Sequence, residues 1–489
     1  MNALKPYKTL LFILGVIAML ALVCSVFPKE GITIGGITLR MPSIASVLAG
    51  PKTEPEVDIE QLEAERMAKV EEMMCAELSD SLVFYADFIA DSSRGFALPG
   101  NDPHFFDTFF AKAEKAAAEG RVVRILHYGD SQIEMDRMSD VLRAYMQETF
   151  GGRGAGLLPF SQTIPCTSVS QYATGDYTRY ASYGDSTVSR NHGLYGPMAK
   201  CCRVNSTASA NITCTKSDTR DEHLKSFSKV TVLFDNLSGN LSITVTAKGV
   251  SRQQFSTETG VGSLSWQFDT SITSARISVS GMADIYGIMV DDRYGVSVDN
   301  ISMRGASGHQ IQMIDSARLA QSFALMDVGL IIFQYGGNSV PYLYSEVSRE
   351  RYANEMARQL RILHHTCPNA QILFIGPADM CHIDEEGELH TYPHLEKVVQ
   401  RLRQVALDNN AAFWSMYDVM GGKGAMSTWV KNGLGGGDYL HFSEKGAKKM
   451  AGYLVDAFKT MYGLYTLQKD YDIEKFDKLW QENVTLQQY

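Results

Sequence analysis

The sequence predicts an α/β protein whose parallel sheet is split by an inserted antiparallel β-sandwich and preceded by an N-terminal membrane helix. Three observations carry this. Short β-branched runs alternate with amphipathic helical stretches near residue 120 and again beyond residue 328, the pattern of parallel strands joined by helices. Between them, over 161–295, the texture changes to Thr/Ser/Val alternation with period two, broken by Asn, Gly and Ser turns. Ahead of both, residues 9–27 are uncharged and mostly apolar, close to the ~20 residues that cross a bilayer as a helix.

In chain order, Lys5 and Lys8 flank the apolar run on its N-terminal side, so the N-terminus is expected to stay cytoplasmic and the remainder to be exported, to the periplasm or the outside. No A-x-A-like site follows closely, which favours an uncleaved anchor over a cleaved signal peptide. Val23 before Cys24, where a lipoprotein signal needs a small residue, argues against lipidation. Residues 1–30 are thus read as the anchor (or signal peptide) and 31–100 as linker and helical lead-in, with a charged helix over 58–74. The α/β domain is expected over 101–160 and 296–465, interrupted by the sandwich at 161–295 and followed by a tail, 466–489. "RVVRILHYG" (121–129) reads as a strand, and Met138, Val141, Leu142 and Tyr145 recur after it at helical spacing. Later strands are expected over 328–337, 370–377 and 411–416, alternating with helices over 347–365, 393–409 and 444–462.

Composition excludes some functions. Net charge is −10, with 55 acidic against 45 basic residues and no long basic run, so nucleic acid is not an expected partner. The eight cysteines include no C-x-x-C pair and no His/Cys cluster of zinc spacing, so no structural metal is expected. Cys166, Cys201, Cys202 and Cys214 either pair in an oxidising compartment or remain buried thiols.

The tetrapeptide YGDS occurs twice, ending at Ser131 and at Ser186. Ser131 follows a strand and opens a helix. That places its hydroxyl on the ligand-facing rim of a parallel sheet and its N–H among the unpaired donors of a helix start. Ser186 has neither neighbour and reads as a turn. Among eleven histidines the best base is His441 in "GGGDYLHFSEKG", where Asp438 lies three residues earlier and Ser443-Glu444 caps the last helix. Asp379 and His382 form a competing pair of the same spacing, without the helix cap. Oxyanion donors are available from two glycine-containing turns: Gly305 in "MRGASGHQI" and the Asn338 amide in "FQYGGNSV".

Gly129-Asp130-Ser131, Gly305, Gly336-Gly337-Asn338 and Asp438-Tyr439-Leu440-His441, in this order, resemble the four blocks of the SGNH (GDSL-type) hydrolase superfamily. The resemblance covers about 120–160 and 295–460. It implies a flavodoxin-like three-layer α/β/α domain and ester hydrolysis without a cofactor. Ser131 would be the nucleophile, His441 the base and then acid, and Asp438 its orienter. The oxyanion hole would comprise Ser131, Gly305 and Asn338, with Gly308 a less favoured substitute for Gly305. Two positions depart from the common pattern: Gln132 stands where Leu usually follows the serine, and Ser339 where Asp often follows the asparagine.

Within the superfamily, "GDSQ", "FGGRGAGLLPF" and the inserted β-domain resemble bacterial peptidoglycan O-acetylesterases, in which the insertion resembles a carbohydrate-binding module. The implied partners are an O-acetylated polysaccharide, the membrane through the N-terminal helix and, as a candidate, a membrane acetyltransferase. Two alternatives remain at this stage: a carbohydrate O-acetyltransferase using the same triad, and a non-catalytic glycan-binding cell-wall protein.

Overall fold

The structure, a computed structural model, describes residues 6–28, 32–34, 37–39, 58–73, 78–184, 193–217, 221–469 and 473–486. Ser186 lies outside the described residues.

Five parallel strands form the central sheet: β1 (Val122–Gly129), β2 (Gly295–Ser302), β3 (Val328–Gln334), β4 (Gln371–Gly376) and β5 (Ala412–Ser415). Their order is β2-β1-β3-β4-β5, the flavodoxin-like arrangement. Strands β1, β3, β4 and β5 are buried on both faces, which is why they read as apolar runs. Val123, Ile125, Leu330, Ile332, Leu373 and Trp414 point into one core, while Leu126, Tyr128, Ile331, Phe333, Phe374 and Phe413 point into the other. Helices Ser139–Phe150 and Glu444–Gln468 cover the first face; Ser316–Met326, Glu346–Thr366 and Leu395–Asp408 cover the second. Packing reaches beyond 101–465: Leu82, Tyr85 and Phe88 of the helix Leu78–Ala90, and Phe476 and Trp480 of the helix Ile473–Leu486, share the first core.

Strand β2 was not among the expected strands. Its sequence, GVSVDNIS, alternates like an antiparallel strand because Ser297 and Asp299 do not face an apolar layer. They meet the buried Arg124 of β1, which donates to Asp299 Oδ1 (2.9 Å) and to Ser297 Oγ (3.2 Å) and also pairs with Asp291. Asp299 Oδ1 in turn accepts from the Leu157 N–H (3.0 Å), so the same cluster ties the insertion to the sheet.

The inserted antiparallel sheet has seven strands running from Gly156–Leu158 to Ser274–Asp291. Its longest strand, Phe227–Ala247, buries Val230, Val232 and Phe234 before an irregularity near Asn236 and Gly239, and Leu241, Ile243 and Val245 after it. The parity change keeps both halves facing one core, so a single hydrogen-bonded sheet folds over itself. Among the described residues no two cysteines are joined in a disulfide, and burial pushes the Cys166 and Cys202 thiols up to about 11.

Near the N-terminus the helix Pro6–Val26 is apolar all round and exposed along its length. It is long and apolar enough to cross a membrane.

Candidate active site

Strand β1 ends at Gly129, where a Cβ would sit 2.9 Å from Ile133 Cδ1 and 3.3 Å from the Gln334 carbonyl, so a larger residue would press on the Ile133 side chain. Ser131 then opens a 3-10 turn, Ser131–Asp136, which precedes the α-helix rather than being part of it. Met135 and Asp136 carry left-handed backbone (φ 61° and 68°). A buried ion pair from Arg143 to Asp136 (2.6 Å) holds that strained turn, and Glu134 pairs with Arg304, next to Gly305. Because the sheet order reverses between β1 and β3, Ser131 lies at the switch point, where open α/β sheets take ligands beyond the strand ends.

The structure brings Ser131, His441 and Asp438 together. Ser131 Oγ is 2.8 Å from His441 Nε2, and His441 Nδ1 is 2.7 Å from Asp438 Oδ2. The second Asp438 oxygen accepts from the Leu440 and His441 N–H groups, both at 3.0 Å, which fixes the carboxylate without using the oxygen that faces the imidazole. Burial pushes the Asp438 carboxyl up, but the His441 ring and these N–H groups outweigh it and hold it below its ordinary range. Asp438 therefore stays ionised beside the ring, and Nδ1 takes the donor role. The dyad is open to solvent: the His441 and Asp438 side chains are 39% and 48% exposed.

Gly305 sits in a turn closed by the Ala306 N–H on the Met303 carbonyl, with φ 73°, and a Cβ there would meet nothing within 4 Å. Gly308 faces inward against Tyr335 and Met356. Of the two, Gly305 is the one open to a ligand. Asn338 lies in the 3-10 turn Gly337–Tyr342 after β3; its amide donates to Asp130 Oδ2 (3.1 Å) and to the Ala306 carbonyl (3.0 Å). Both amide hydrogens are thus engaged, joining the asparagine turn to the serine turn through Asp130 and to the glycine turn through Ala306. Burial pushes the Asp130 carboxyl up to about 6 against the pull of the Gln132 N–H, His441, Arg137 and Asn338.

The competing pair does not assemble. Asp379 is fully buried and accepts from Thr391 Oγ1 (2.9 Å) and the Met426 N–H (2.8 Å). His382 bonds the His390 carbonyl through Nδ1 and stacks on Tyr392. One His/carboxylate group among the described residues, Asp384, Glu388 and His390, brings its ligand atoms within 4.8 Å of one another, on the hairpin after Asp379.

A cavity of about 850 Å³ opens beside the serine turn, between the sheet's C-terminal edge at Arg304 and Gly305 and the insertion at Tyr180, Met198 and Tyr286. Two residues without a role in the sequence pattern, Gln132 and Arg137, bond the backbone of the His441 loop. The departure of Gln132 from the common pattern was the signal for the first of them.

Residues 271–449 match the model of the GDSL-like Lipase/Acylhydrolase family. The expected GDSL-type resemblance stands. The acylhydrolase match includes Gly305, Asn338, Asp438 and His441 but not Ser131, which precedes the insertion and joins them only through the pairing of β1 between β2 and β3. Comparison with curated protein sequences finds no significant match. In fold, the chain is similar to a solved peptidoglycan O-acetylesterase, with 22% identity over 74% of this chain and 96% of that one, at a TM-score of 0.57. An acetyl xylan esterase, AlAXEase, aligns at 16% identity over 33% of this chain and 81% of its own, with a TM-score of 0.26. A family two carbohydrate esterase from Clostridium thermocellum aligns at 9% identity over 59% and 99%, also at 0.26. The family match over 271–449 and the likeness at a TM-score of 0.57 give the chain an acylhydrolase-type α/β fold carrying an antiparallel insertion.

Proposed function

We propose that this protein is an exported serine esterase that removes O-acetyl groups from a cell-wall polysaccharide, peptidoglycan being the favoured substrate. The observation that carries the reading is the continuous Ser131–His441–Asp438 relay at the switch point of the sheet. Ser131 Oγ attacks the acetyl carbonyl carbon as His441 Nε2 takes its proton, and Asp438 steadies the imidazolium. Collapse of the tetrahedral intermediate breaks the ester bond. The sugar hydroxyl leaves with the proton from His441, and acetyl-serine remains. Water, deprotonated by His441, then releases acetate and restores Ser131. The oxyanion is met by the Ser131 and Gly305 N–H groups and by Asn338, which turns one N–H away from Asp130 or Ala306.

The exposed dyad and the adjoining cavity walled by the insertion suit an ester carried on a polymer better than an enclosed small molecule. The apolar helix Pro6–Val26 is read as the anchor holding the catalytic part at the wall side of the membrane. Acetate release from O-acetylated peptidoglycan, set beside acetylated xylan and a long-chain ester, tests this. Fastest release from peptidoglycan, abolished in Ser131→Ala, is expected. A Ser131→Ala protein as fast as the parent would sink the reading, and acetylated oligomers in place of acetate would assign transfer instead of hydrolysis.

A further inference from the structure

The catalytic histidine of the reading above sits on an exposed loop, yet every backbone N–H and C=O from Tyr439 to Phe442 has a partner. Some are local: the Tyr439 N–H donates to the Gly436 carbonyl, the Leu440 and His441 N–H groups to Asp438 Oδ1, and the Gly436 N–H to the His441 carbonyl. The Tyr439 carbonyl accepts from the Cys381 N–H. The rest come from the serine turn. Gln132 Nε2 donates to the Leu440 carbonyl (2.7 Å), and Gln132 Oε1 accepts from the Phe442 N–H (3.1 Å). Arg137 donates through Nη1 to the Phe442 carbonyl (3.0 Å) and through Nη2 to the carbonyls of Ser131 and Gln132.

We propose that Gln132 is a positioning residue that, with Arg137, fixes the His441 ring against Ser131 by clamping the backbone on both sides of the histidine. The proposal rests on the serine-esterase reading. The chemistry of the amide explains the choice of residue. A carbonyl at one position and an N–H two residues on are what an extended segment offers a neighbouring strand, and a planar carboxamide answers both with one donor and one acceptor. Leucine, the common residue here, answers neither. Glutamate answers only the N–H, and asparagine is one methylene shorter. The amide orientation follows from the partners themselves, because a carbonyl must face the nitrogen and an N–H the oxygen. Gln132 is the residue after the nucleophile, so the clamp links Ser131 to the residues flanking His441 by a single side chain, and the 2.8 Å Ser131–His441 contact does not depend on the long route around the chain. A loop displaced by about 1 Å loses on the order of 100-fold in rate, which sets the scale of the effect.

The experiment uses the full chain with p-nitrophenyl acetate. Gln132→Met, similar in size but unable to make either bond, should lower kcat about 10- to 100-fold with KM within about twofold and the melting temperature little changed. Gln132→Glu, which keeps the acceptor toward Phe442, should fall between it and the parent. Hydrogen exchange of a peptide spanning 439–443 should quicken in Gln132→Met. A parent-like kcat in Gln132→Met, or a rate loss that matches the unfolded fraction at the assay temperature, would overturn the proposal. Ser131→Ala runs alongside. If that variant keeps full activity, the esterase reading fails by itself and exchange over 439–443 alone decides the clamp, quickened exchange supporting it and unchanged exchange refuting it.

Discussion

Two segments of this chain place a histidine three residues after an aspartate, both on the C-terminal rim of the parallel sheet, and a hydrogen bond from the Cys381 N–H to the Tyr439 carbonyl joins them. At 438–441 the carboxylate divides its work: one oxygen takes the N–H groups of its own loop, and the other is left for the ring. At 379–382 both oxygens are taken elsewhere, by Thr391 and the Met426 N–H, and the histidine turns to a carbonyl and a tyrosine face. Spacing brings the pair within reach. Whether a dyad forms depends on which other donors claim the carboxylate.

The contrast can be broken most directly at His441. In the proposed mechanism His441→Ala should lower kcat for p-nitrophenyl acetate by at least about 10⁴-fold, since members of such a relay act as a unit. Asp438→Asn should cost less, roughly 100- to 10,000-fold, because the ring keeps a partner but loses the charge that steadies it. In the other segment, Asp379→Ala should leave kcat per folded molecule within about threefold while lowering unfolding free energy by about 2–4 kcal/mol, as a hydroxyl and an N–H lose their buried acceptor; urea titration reads this.

A smaller effect sharpens the comparison between carboxylates. Asp130 is raised to about 6, so the folded state holds its proton more tightly than the unfolded state, where the ordinary value is 3.8. Its contribution to stability is therefore present at low pH and lost as pH rises through about 6. Relative to Asp130→Asn, the parent should lose about 2 kcal/mol between pH 4 and 6.5, read from paired melts. Asp438, held low, has the opposite sign: what its ionised form contributes is lost as pH falls through its lowered value. Last, His382→Ala should cost no more than about 1 kcal/mol, the scale of one ring contact, and leave activity unchanged.

The parts legible in the sequence are those written locally. Strands β1, β3, β4 and β5 show as apolar runs because both faces are buried, and the Ser443 cap of the last helix is visible because it bonds Gly446, three residues on. The meeting of Ser131, His441 and Asp438 was accessible through the motif order. Strand β2 was hidden because its polar positions serve Arg124, a partner in another strand. The fate of Asp379 was hidden for the same reason, since Thr391 and Met426 are distant in the chain. Gln132 could be seen to depart from the pattern, but its consequence appears only when Leu440 and Phe442 are brought to it.

The insertion also bears on how the chain reaches this state. Adjacent parallel strands usually need a crossover, and the entropy of closing a loop rises with its length. Here Gly156–Leu158 pairs with Ile288–Val290, and the Val296 N–H donates to the Gly151 carbonyl at 2.9 Å, so the excursion between β1 and β2 closes itself before it returns to the sheet. Once folded, the insertion presents the parallel sheet with two neighbouring ends, as a short connection would. The register of β2 beside β1, and with it the approach of the Gly305 turn to Ser131, is therefore insulated from the length of chain between them.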